Sequence, residues 1–210
     1  MPNKPTRTRR RTPRPRYGQV SRQTRETTIQ VNWTLDGKGL ARVATGIPFM
    51  DHMLELMARH GRFDLTVTAK GDLEVDAHHT MEDLGLTLGQ ALAEALGNKA
   101  GIRRFGWSAL PMDEALALVA VDLSGRPYLG YHFPAPAVRV KDTDTRLFRE
   151  FFQALVNRTR HELACQLLRN TQLPVTHIAA ALQYADANAF SRAFRQWTGC
   201  TPTAWRAADG

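Results

Sequence analysis

The stretch "DAHHTMEDLG", residues 76–85, begins a long segment in which apolar residues recur at the spacing of a helix. Apolar residues recur with that spacing over residues 77–97, which predicts a helix beginning at two adjacent histidines. Neighbouring side chains leave a helix about 100° apart, so His78 and His79 diverge and each needs partners of its own. Glu82 follows them by four and three residues, within reach of either ring.

Two interpretations of the histidine pair stay open on the residues alone. Diverging imidazoles with a shared carboxylate indicate two metal ions, or one metal ion and one substrate. The alternative is a polar helix start. In it, Asp76 caps the helix, and the positive end of the helix dipole stabilises the carboxylates of Glu82 and Asp83. A third histidine, His52, follows Asp51 on the preceding predicted helix, and a neighbouring carboxylate can orient a ligating imidazole.

The order of predicted elements indicates a repeat. Strands over 27–35 and 39–45, joined as a hairpin by the turn "DGKG", precede a helix over 48–60 and a strand over 62–76. After the histidine helix, strands between 101 and 133 and a helix over 143–157 begin the same series again. This second series stops before its last strand and helix. The sequence therefore predicts an α+β fold with one complete and one incomplete repeat.

The chain changes in kind near Asn157, which marks a candidate domain boundary. Short helical segments without intervening strands follow. The stretch "LPVTHIAAALQYADANAFSRAFRQW", residues 173–197, has the helix, short turn and helix of a helix-turn-helix. Its second helix would offer four polar residues to a DNA groove, namely Asn188, Ser191, Arg192 and Arg195.

The net charge of +8 comes from one end of the chain. Residues 1–25 carry nine Lys or Arg and no acid, while the remainder carries 19 basic and 20 acidic residues. This Pro- and Arg-rich segment predicts a disordered tail, either able to touch nucleic acid or acidic surfaces or simply solvated. Cys165 and Cys200 have no CxxC spacing and are predicted to be reduced packing residues. No apolar run is long enough to span a membrane, and we expect a cytoplasmic protein without a membrane partner.

Three arginines form a second candidate group. Arg103 and Arg104 stand at the start of a predicted strand, and Arg126 lies in the turn "SGRP". An arginine at a turn can hold a phosphate with two parallel hydrogen bonds, although each of these residues taken alone is an ordinary surface charge.

The motifs "RETTIQV", "TGIPFMDHMLELMARHGRFDLTV", "GDLEVDAHHTMEDLGLTLGQAL", "GIRRFG", "PMDEALA" and "VDLSGRPYL" resemble the imidazoleglycerol-phosphate dehydratase family of histidine biosynthesis, from about residue 25 to 157. The resemblance implies the first half and part of the second half of a duplicated ribosomal-protein-S5-domain-2-like fold. It also implies manganese, two ions per site, with zinc or iron as alternatives. A large symmetric homo-oligomer with active sites between subunits is implied as well.

The resemblance carries over to individual residues. It implies that the metal ligands are His52, His78, His79 and Glu82. It implies that a phosphorylated imidazole substrate contacts Glu26, His52, His60, His78, His79, Glu82, Arg104 and Arg126. Glu26 and Glu82 are the implied catalytic residues, with Glu26 a candidate acid/base, and Asp113 matches another acidic position near the site. The reaction removes water beside an imidazole ring that must accept electrons, a task that metal ions on the ring nitrogens would assist.

The chain departs from the family pattern after residue 157. The second HHxxE motif, a further histidine ligand and a Lys- and Ser-containing tail are missing, so we expect an unpaired sheet edge, an exposed core face and weak or absent activity. Residues 162–206 instead resemble the second helix-turn-helix of an AraC-type regulator. The implied domains are a tail (1–25), a dehydratase-like region (26–157) and a helix-turn-helix fragment (158–210). The alternative functions are an AraC-type DNA-binding fragment and a fusion with no combined function.

Overall fold

The computed structural model describes residues 15–124, 127–134, 139–140, 143–182 and 184–209. Its first half contains β1 (Tyr17–Gln23), β2 (Thr27–Thr34), β3 (Ala41–Ala44), α1 (Pro48–Gly61), β4 (Asp64–Gly71) and α2 (His78–Leu96). There follow β5 (Phe105–Met112), β6 (Ala115–Asp122), β7 (Arg139–Val140), β8 (Thr143–Asp144), α3 (Arg146–Asn170), α4 (Val175–Ala181), α5 (Ala187–Thr198) and α6 (Pro202–Asp209). Helices and strands are mixed along the chain, so the predicted α+β class is confirmed.

Strands β1 to β4 form one sheet, called the first sheet, in the order β1-β2-β4-β3. The predicted hairpin of β2 and β3 is wrong, because β4 lies between them. Strand β3 pairs in parallel with β4, placing Val43 opposite Val67, and helix α1 supplies the crossover that a parallel pair needs. The "DGKG" loop instead turns back to the start of β4, where the Asp64 carboxylate accepts hydrogen bonds from the amides of Lys38 and Leu40.

The prediction of a disordered tail over residues 1–25 is wrong for its second part. Residues 17–23 form β1, which pairs antiparallel with β2 and buries Val20 in the core. A Cβ on Gly18 would stand 2.0 Å from the carbonyl oxygen of Ala91, so a glycine here lets the strand lie directly against α2. Pairing and packing with distant residues outweigh the local basic composition. Residues 1–14 lie outside the described part of the chain.

Helix α2 covers the first sheet and forms its core. Met81, Leu84 and Leu88 are fully buried among inward residues of β2 and β4, which alternate with outward ones along each strand. Burial of one such leucine stabilises the fold by roughly 1.5–3 kcal/mol. The other side of α2 packs on α3, where a Cβ on Gly85 would stand 2.4 Å from the carbonyl oxygen of Phe151. This close approach holds the histidine end of α2 between a sheet and a helix.

Strands β5 and β6 pair only with each other among the described residues and form a two-stranded sheet, called the hairpin. All residues of both strands are exposed, on both faces, including Trp107 at 79% and Leu118 at 73%. Asp113, with φ 51°, makes its two-residue turn with Glu114. The expected exposed core face is therefore present here.

Helix α3 joins the two hydrophobic cores. The predicted helix over 143–157 and the short helical segment after it are a single helix, so the candidate boundary near Asn157 lies inside a helix and not in a linker. Phe151 belongs to the core under α2, whereas Ala164 and Leu168 belong to a second core formed with α4 and α5. Cys165 and Cys200 form no disulfide bond. None of the helices in the described ranges is long and apolar enough to cross a membrane.

Candidate functional site

The two histidines lie at the first turn of α2. The helix begins at His78, whose amide donates to the Asp76 carboxylate at 2.7 Å, but the cap position is occupied by Ala77, so Asp76 is not the capping residue that the alternative interpretation predicted. The imidazole rings of His78 and His79 are 5.6 Å apart between centroids and inclined by 75°. They therefore diverge, and the structure gives each of them a different carboxylate partner.

His79 is held by a carboxylate that the sequence did not single out. Its Nδ1 lies 2.9 Å from Oδ2 of Asp72, in the loop between β4 and α2. A carboxylate only accepts, so Nδ1 carries the proton and Nε2 is left for another ligand. The hydrogen bond to Asp72, with the charges of Asp72, Glu26 and Asp76, raises the pKa of His79 against a smaller opposing effect of burial.

His78 lies between two glutamates. Its Nδ1 is 2.7 Å from Oε2 of Glu150 on α3, and its Nε2 is 3.9 Å from Oε2 of Glu82, one helical turn along α2. Glu82 thus lies on the His78 side of the pair, one of the two arrangements that the spacing allows. Glu150 is 72 residues away in the sequence, so no local motif could reveal its contact with the ring.

A cleft of about 830 Å³ opens beside His78. It lies between the start of α1, the loop before α2 and the start of α3, and its walls include Asp144, Arg146 and Glu150. Of the residues predicted for the site, His78 alone is among those that line it in the described part of the chain. The cleft therefore does not gather the predicted ligands around one point.

The chemistry of the donors suits a divalent metal, but one chain does not assemble a complete set. Oδ1 of Asp72 is buried without a hydrogen bond to the residues that the structure describes, and Oε2 of Glu150, although 2.7 Å from Nδ1 of His78, is buried outside hydrogen-bond geometry with that ring. Within those same residues, no three His, Cys, Asp or Glu side chains converge as an ion requires. Imidazoles and carboxylates are appropriate ligands for manganese, so a complete coordination shell needs donors beyond these.

Helix α1 carries two further histidines of the predicted site. His52 and His60 are exposed, and they stand eight residues apart, about 12 Å along the helix axis. They cannot bind the same ion. Asp51, expected to orient His52, instead accepts from the amide of Thr45 at 2.8 Å and from its hydroxyl, so it fixes the entry to α1.

Arg103 and Arg104, the two described members of the arginine group, do not line the cleft beside His78. The guanidinium of Arg104 holds both oxygens of Asp122 across the base of the hairpin, at 2.7 and 3.1 Å, and lies over the ring of Phe105. Arg103 is also exposed beside it. Arg126 lies outside the described residues. Arg104 is available to a phosphate only where this carboxylate partner can be exchanged.

Glu26 is exposed in the short turn between β1 and β2. Its charge contributes to the raised pKa of His79, which places the turn on the histidine side of α2. Asp83, expected at the helix start for its favourable dipole interaction, is instead buried and receives a hydrogen bond from Arg22 at 2.7 Å. The motif contains Asp83, but nothing in its spacing indicates a partner in β1.

The four residues predicted for DNA share one face of α5. Asn188, Arg192 and Arg195 are exposed and Ser191 is half-buried, whereas Phe190 and Phe194 point into the second core. Asp186 caps the helix by accepting from the amide of Ala189 at 2.6 Å. Gln183, where a glycine is usual in the resembling family, is outside the described residues.

Comparison with known proteins gives a consistent result. Residues 45–190 match the family model described as imidazoleglycerol-phosphate dehydratase. The enzyme of that name from Geobacter metallireducens is 48% identical over 187 residues, covering 89% of this chain and 93% of the relative. The one from Thiobacillus denitrificans is 58% identical over 142 residues, covering 68% and 73%. The crystal structure of the Staphylococcus aureus enzyme superposes with a TM-score of 0.60 at 36% identity, over 68% of this chain and 79% of that chain. The chain belongs to the imidazoleglycerol-phosphate dehydratase family, a family of hydro-lyases.

Proposed function

We propose that this chain dehydrates imidazole glycerol phosphate to imidazole acetol phosphate, with the diverging pair His78 and His79 at the centre of its site. One observation carries the proposal. In a chain of this family, both Nδ1 atoms lie against carboxylates, those of Glu150 and Asp72 respectively. A hydrogen bond to Asp72 orients the His79 ring, whereas Glu150 lies against the His78 ring without hydrogen-bond geometry, and the Nε2 atom of each ring is left as the donor for a metal ion or a substrate.

Manganese would be held by His52, His78, His79 and Glu82, two ions per site, with zinc or iron as alternatives. A bound divalent ion supplies Lewis-acid polarisation of the substrate's imidazole ring. The protein's own part begins with Asp72, whose bond to Nδ1 fixes the His79 ring. Because protonation of His79 competes with any ligand at its Nε2, its raised pKa makes binding there favour higher pH.

Glu26 is the candidate acid/base for the proton that leaves the carbon skeleton. It is exposed, it lies on the turn nearest the histidine end of α2, and its charge acts on His79. An exposed carboxylate at the rim of a site can reach a substrate without a burial cost. Arg104 and Arg126 would hold the phosphate, and His60 would line the substrate path.

We also infer that the site is incomplete in a single chain. We take the hairpin and the first part of α3 as the start of a second repeat; a second HHxxE motif does not occur in the sequence, and no strand follows α3 in the described part of the chain. A copy with the same truncation cannot supply those ligands within a homo-oligomer. Loss of ligand-orienting groups alone costs about 10–100-fold, so we expect turnover at least about a hundredfold below that of a full-length relative.

The test compares the wild-type chain with variants in which one histidine is replaced, each in the presence of manganese chloride. Dehydration of imidazole glycerol phosphate and free-manganese signals in electron paramagnetic resonance are measured together. We expect weak turnover and weak manganese binding, both reduced further in His79→Asn and unchanged in His177→Asn, a histidine of α4 remote from the pair. Absence of both turnover and His79-dependent manganese binding would contradict the proposal.

A second function has one observation in its favour. The exposed face of α5, with Asn188, Arg192 and Arg195, belongs to a helical unit (residues 158–210) with a hydrophobic core of its own. The relatives aligned over 142 residues are more identical to this chain, at 58 and 54%, than those aligned over 178 to 187 residues, at 48 to 51%.

A basic helix face of this kind fits an AraC-type DNA-binding fragment. A single helix-turn-helix, where the AraC-type pattern has two, should bind DNA weakly and mostly through phosphates. A gel shift across salt concentrations tests it, with Arg192→Ala as the variant. If the variant and the wild type shift DNA equally, this face of α5 is not the DNA-binding surface. A fusion with no combined function would then be favoured.

A further inference from the structure

Asp83 is a buried carboxylate at the centre of contacts between α2 and the turn that carries Glu26. Its Oδ1 accepts from Nε of Arg22 at 2.7 Å, and its Oδ2 accepts from the hydroxyl of Thr27 at 2.5 Å. The hydroxyl of Thr24 lies 3.4 Å from the same Oδ2. One side chain of α2 therefore holds the last part of β1, the turn and the first residue of β2.

The turn closes on itself around Thr24. The Thr24 hydroxyl oxygen accepts from the amides of Glu26, at 3.2 Å, and of Thr27, at 2.9 Å. The Thr24 amide donates to the carbonyl oxygen of Thr27 at 2.9 Å. These bonds determine the backbone of Glu26, whereas its side chain remains exposed. The position of Glu26 relative to the protein thus depends on what holds the turn.

The helix to which the turn is held is the one that begins with the histidines. Asp83 directly follows Glu82 and stands one helical turn after His79. Thr27 pairs with Gly71 on β4, and a Cβ on Gly71 would stand 2.0 Å from Oγ1 of Thr80, so strand and helix are in direct contact at this point. The turn and the histidines are consequently parts of one packed unit.

We propose that Asp83 is a positioning residue that fixes the Glu26 turn against the histidine end of α2, and so sets the distance between Glu26 and His79. A carboxylate is needed because all of its partners donate, and an amide offers only one accepting oxygen. Nothing in this geometry depends on the reaction, but its consequence for turnover rests on the proposed function of Glu26.

The chain provides a matched control at the opposite end of the first sheet. Asp64 also holds a turn to a strand, accepting from the amides of Lys38 at 2.7 Å and Leu40 at 3.0 Å. It stands at the start of β4, whereas Gly71 ends that strand beside the histidines. Both bonds go to Oδ1, which an asparagine would keep, so the control is Asp64→Ala, which should loosen this turn without affecting the position of Glu26.

The first measurement is amide hydrogen exchange, followed by NMR on the full-length chain. In Asp83→Asn we expect the amides of Glu26 and Thr27 to exchange at least about tenfold faster than in the wild type, relative to the amide of Val31 in the same strand. In Asp64→Ala those two amides should keep their protection, while the amides of Lys38 and Leu40 lose theirs. Unchanged protection of Glu26 and Thr27 in folded Asp83→Asn would overturn the inference.

The second measurement separates this inference from the proposed function. We expect Asp83→Asn to lower kcat about tenfold at an unchanged KM, and Glu26→Gln to lower it about a hundredfold. The double variant should be no slower than Glu26→Gln, since a displaced group that is already inactive has no further effect. If Glu26→Gln is as active as the wild type, the proposed role of Glu26 fails while faster exchange still supports the clamp.

A milder variant serves if Asp83→Asn does not fold. Thr27→Val keeps the shape of the side chain and removes only the hydroxyl that donates to Asp83. It leaves the pair between Arg22 and Asp83 in place. We expect selectively faster exchange of the Glu26 amide here as well, and protection equal to the wild type would count against the clamp.

Discussion

The first sheet and the hairpin are built from similar strands but have different surroundings. In β2 the residues alternate between buried and exposed, because α2 covers one face and β1 and β4 pair with its edges. In β5 and β6 every residue is exposed, and the exposed side chains include large apolar ones on both faces. Apolar residues on both faces are typical of a strand that is covered on both sides in its complete fold.

The difference shows that the apolar pattern of a strand indicates a buried position, whereas burial itself requires another element that covers the strand. Phe105, Trp107 and Leu118 share one face of the hairpin, while Leu110 and Val119 share the other. Among the described residues neither face is covered by a helix, and α2 packs instead on the first sheet and α3. Apolar side chains stabilise the first sheet because they are buried there. In the hairpin, comparable side chains are exposed to water and give no such stabilisation.

The largest expected effect contrasts one leucine in each region. Leu84 is fully buried under the first sheet, so Leu84→Ala should lower the free energy of unfolding by about 2–5 kcal/mol through lost burial and a cavity. Leu118 on the hairpin is 73% exposed, so Leu118→Ala should change that free energy by less than about 0.5 kcal/mol. Urea unfolding followed by circular dichroism measures both.

A similar loss from both variants would contradict this contrast, and would mean that the hairpin is covered in solution. Leu116→Ala, at 69% exposure on the same strand, repeats the measurement at an independent position. Concentration dependence of the unfolding midpoint would identify another protein chain as the cover, because association makes stability depend on concentration.

The next effect concerns association through the exposed hairpin. Trp107→Lys places a charge in the middle of an apolar face, so we expect less binding of a hydrophobic dye and a smaller mean particle mass in light scattering. The matched control is Gln30→Lys, at an outward position of β2. The explanation is wrong if both variants behave like the wild type.

Sequence patterns succeeded here where one element determines its own structure. Pro48 and Gly61 bound α1 as predicted, and the histidine helix α2 begins at His78, one residue after its predicted start. Pairing between strands was harder to predict from the sequence. The "DGKG" loop has the composition of a hairpin turn, although β4 lies between β2 and β3 in the sheet. Strand β1 was missed for the same reason, since only its partners reveal it.

Long-range contacts set the same limit on the site. The divergence of His78 and His79 was predicted from helix geometry, and the two rings have separate carboxylate neighbours, with their planes inclined by 75°. Their partners Asp72 and Glu150 come from a loop and from a distant helix, so no spacing within the motif could indicate them. The roles of His52, Glu82 and Arg104 stay predictions.

A smaller effect is expected within the histidine site of the first half. In Asp72→Asn the His79 ring loses its main anionic partner, so the pKa of His79 should fall toward its ordinary value. Stabilisation by the protonated ring is complete below its pKa in the unfolded chain, and is lost as the pH rises through the raised pKa. NMR titration of the ring protons measures the shift.

Asp36→Asn, far from the histidines, is the control for that titration and should leave the pKa of His79 unchanged. An unchanged pKa in Asp72→Asn would show that Asp72 does not hold the ring in solution. Manganese binding adds a second check, because the proton and the metal compete for His79. The pH at which binding becomes half-maximal should move down in Asp72→Asn if its remaining ligands are intact.

The smallest effect is expected at the outer edge of the first sheet. Arg16 holds the Asp36 carboxylate through Nε at 3.0 Å and Nη2 at 2.6 Å, and these bonds lower the pKa of Asp36 to about 2. Both side chains are nearly half exposed, so Arg16→Ala should cost less than about 1 kcal/mol of unfolding free energy at neutral pH. Because the pKa is lowered by folding, that contribution is complete above the unfolded value of 3.8 and is lost as the pH falls towards 2. Urea unfolding at pH 7 and at pH 2.5 should therefore differ less in the variant than in the wild type. An edge strand of the covered sheet would then depend little on its ion pair, because its stability comes mainly from Val20 beneath it and from pairing with β2.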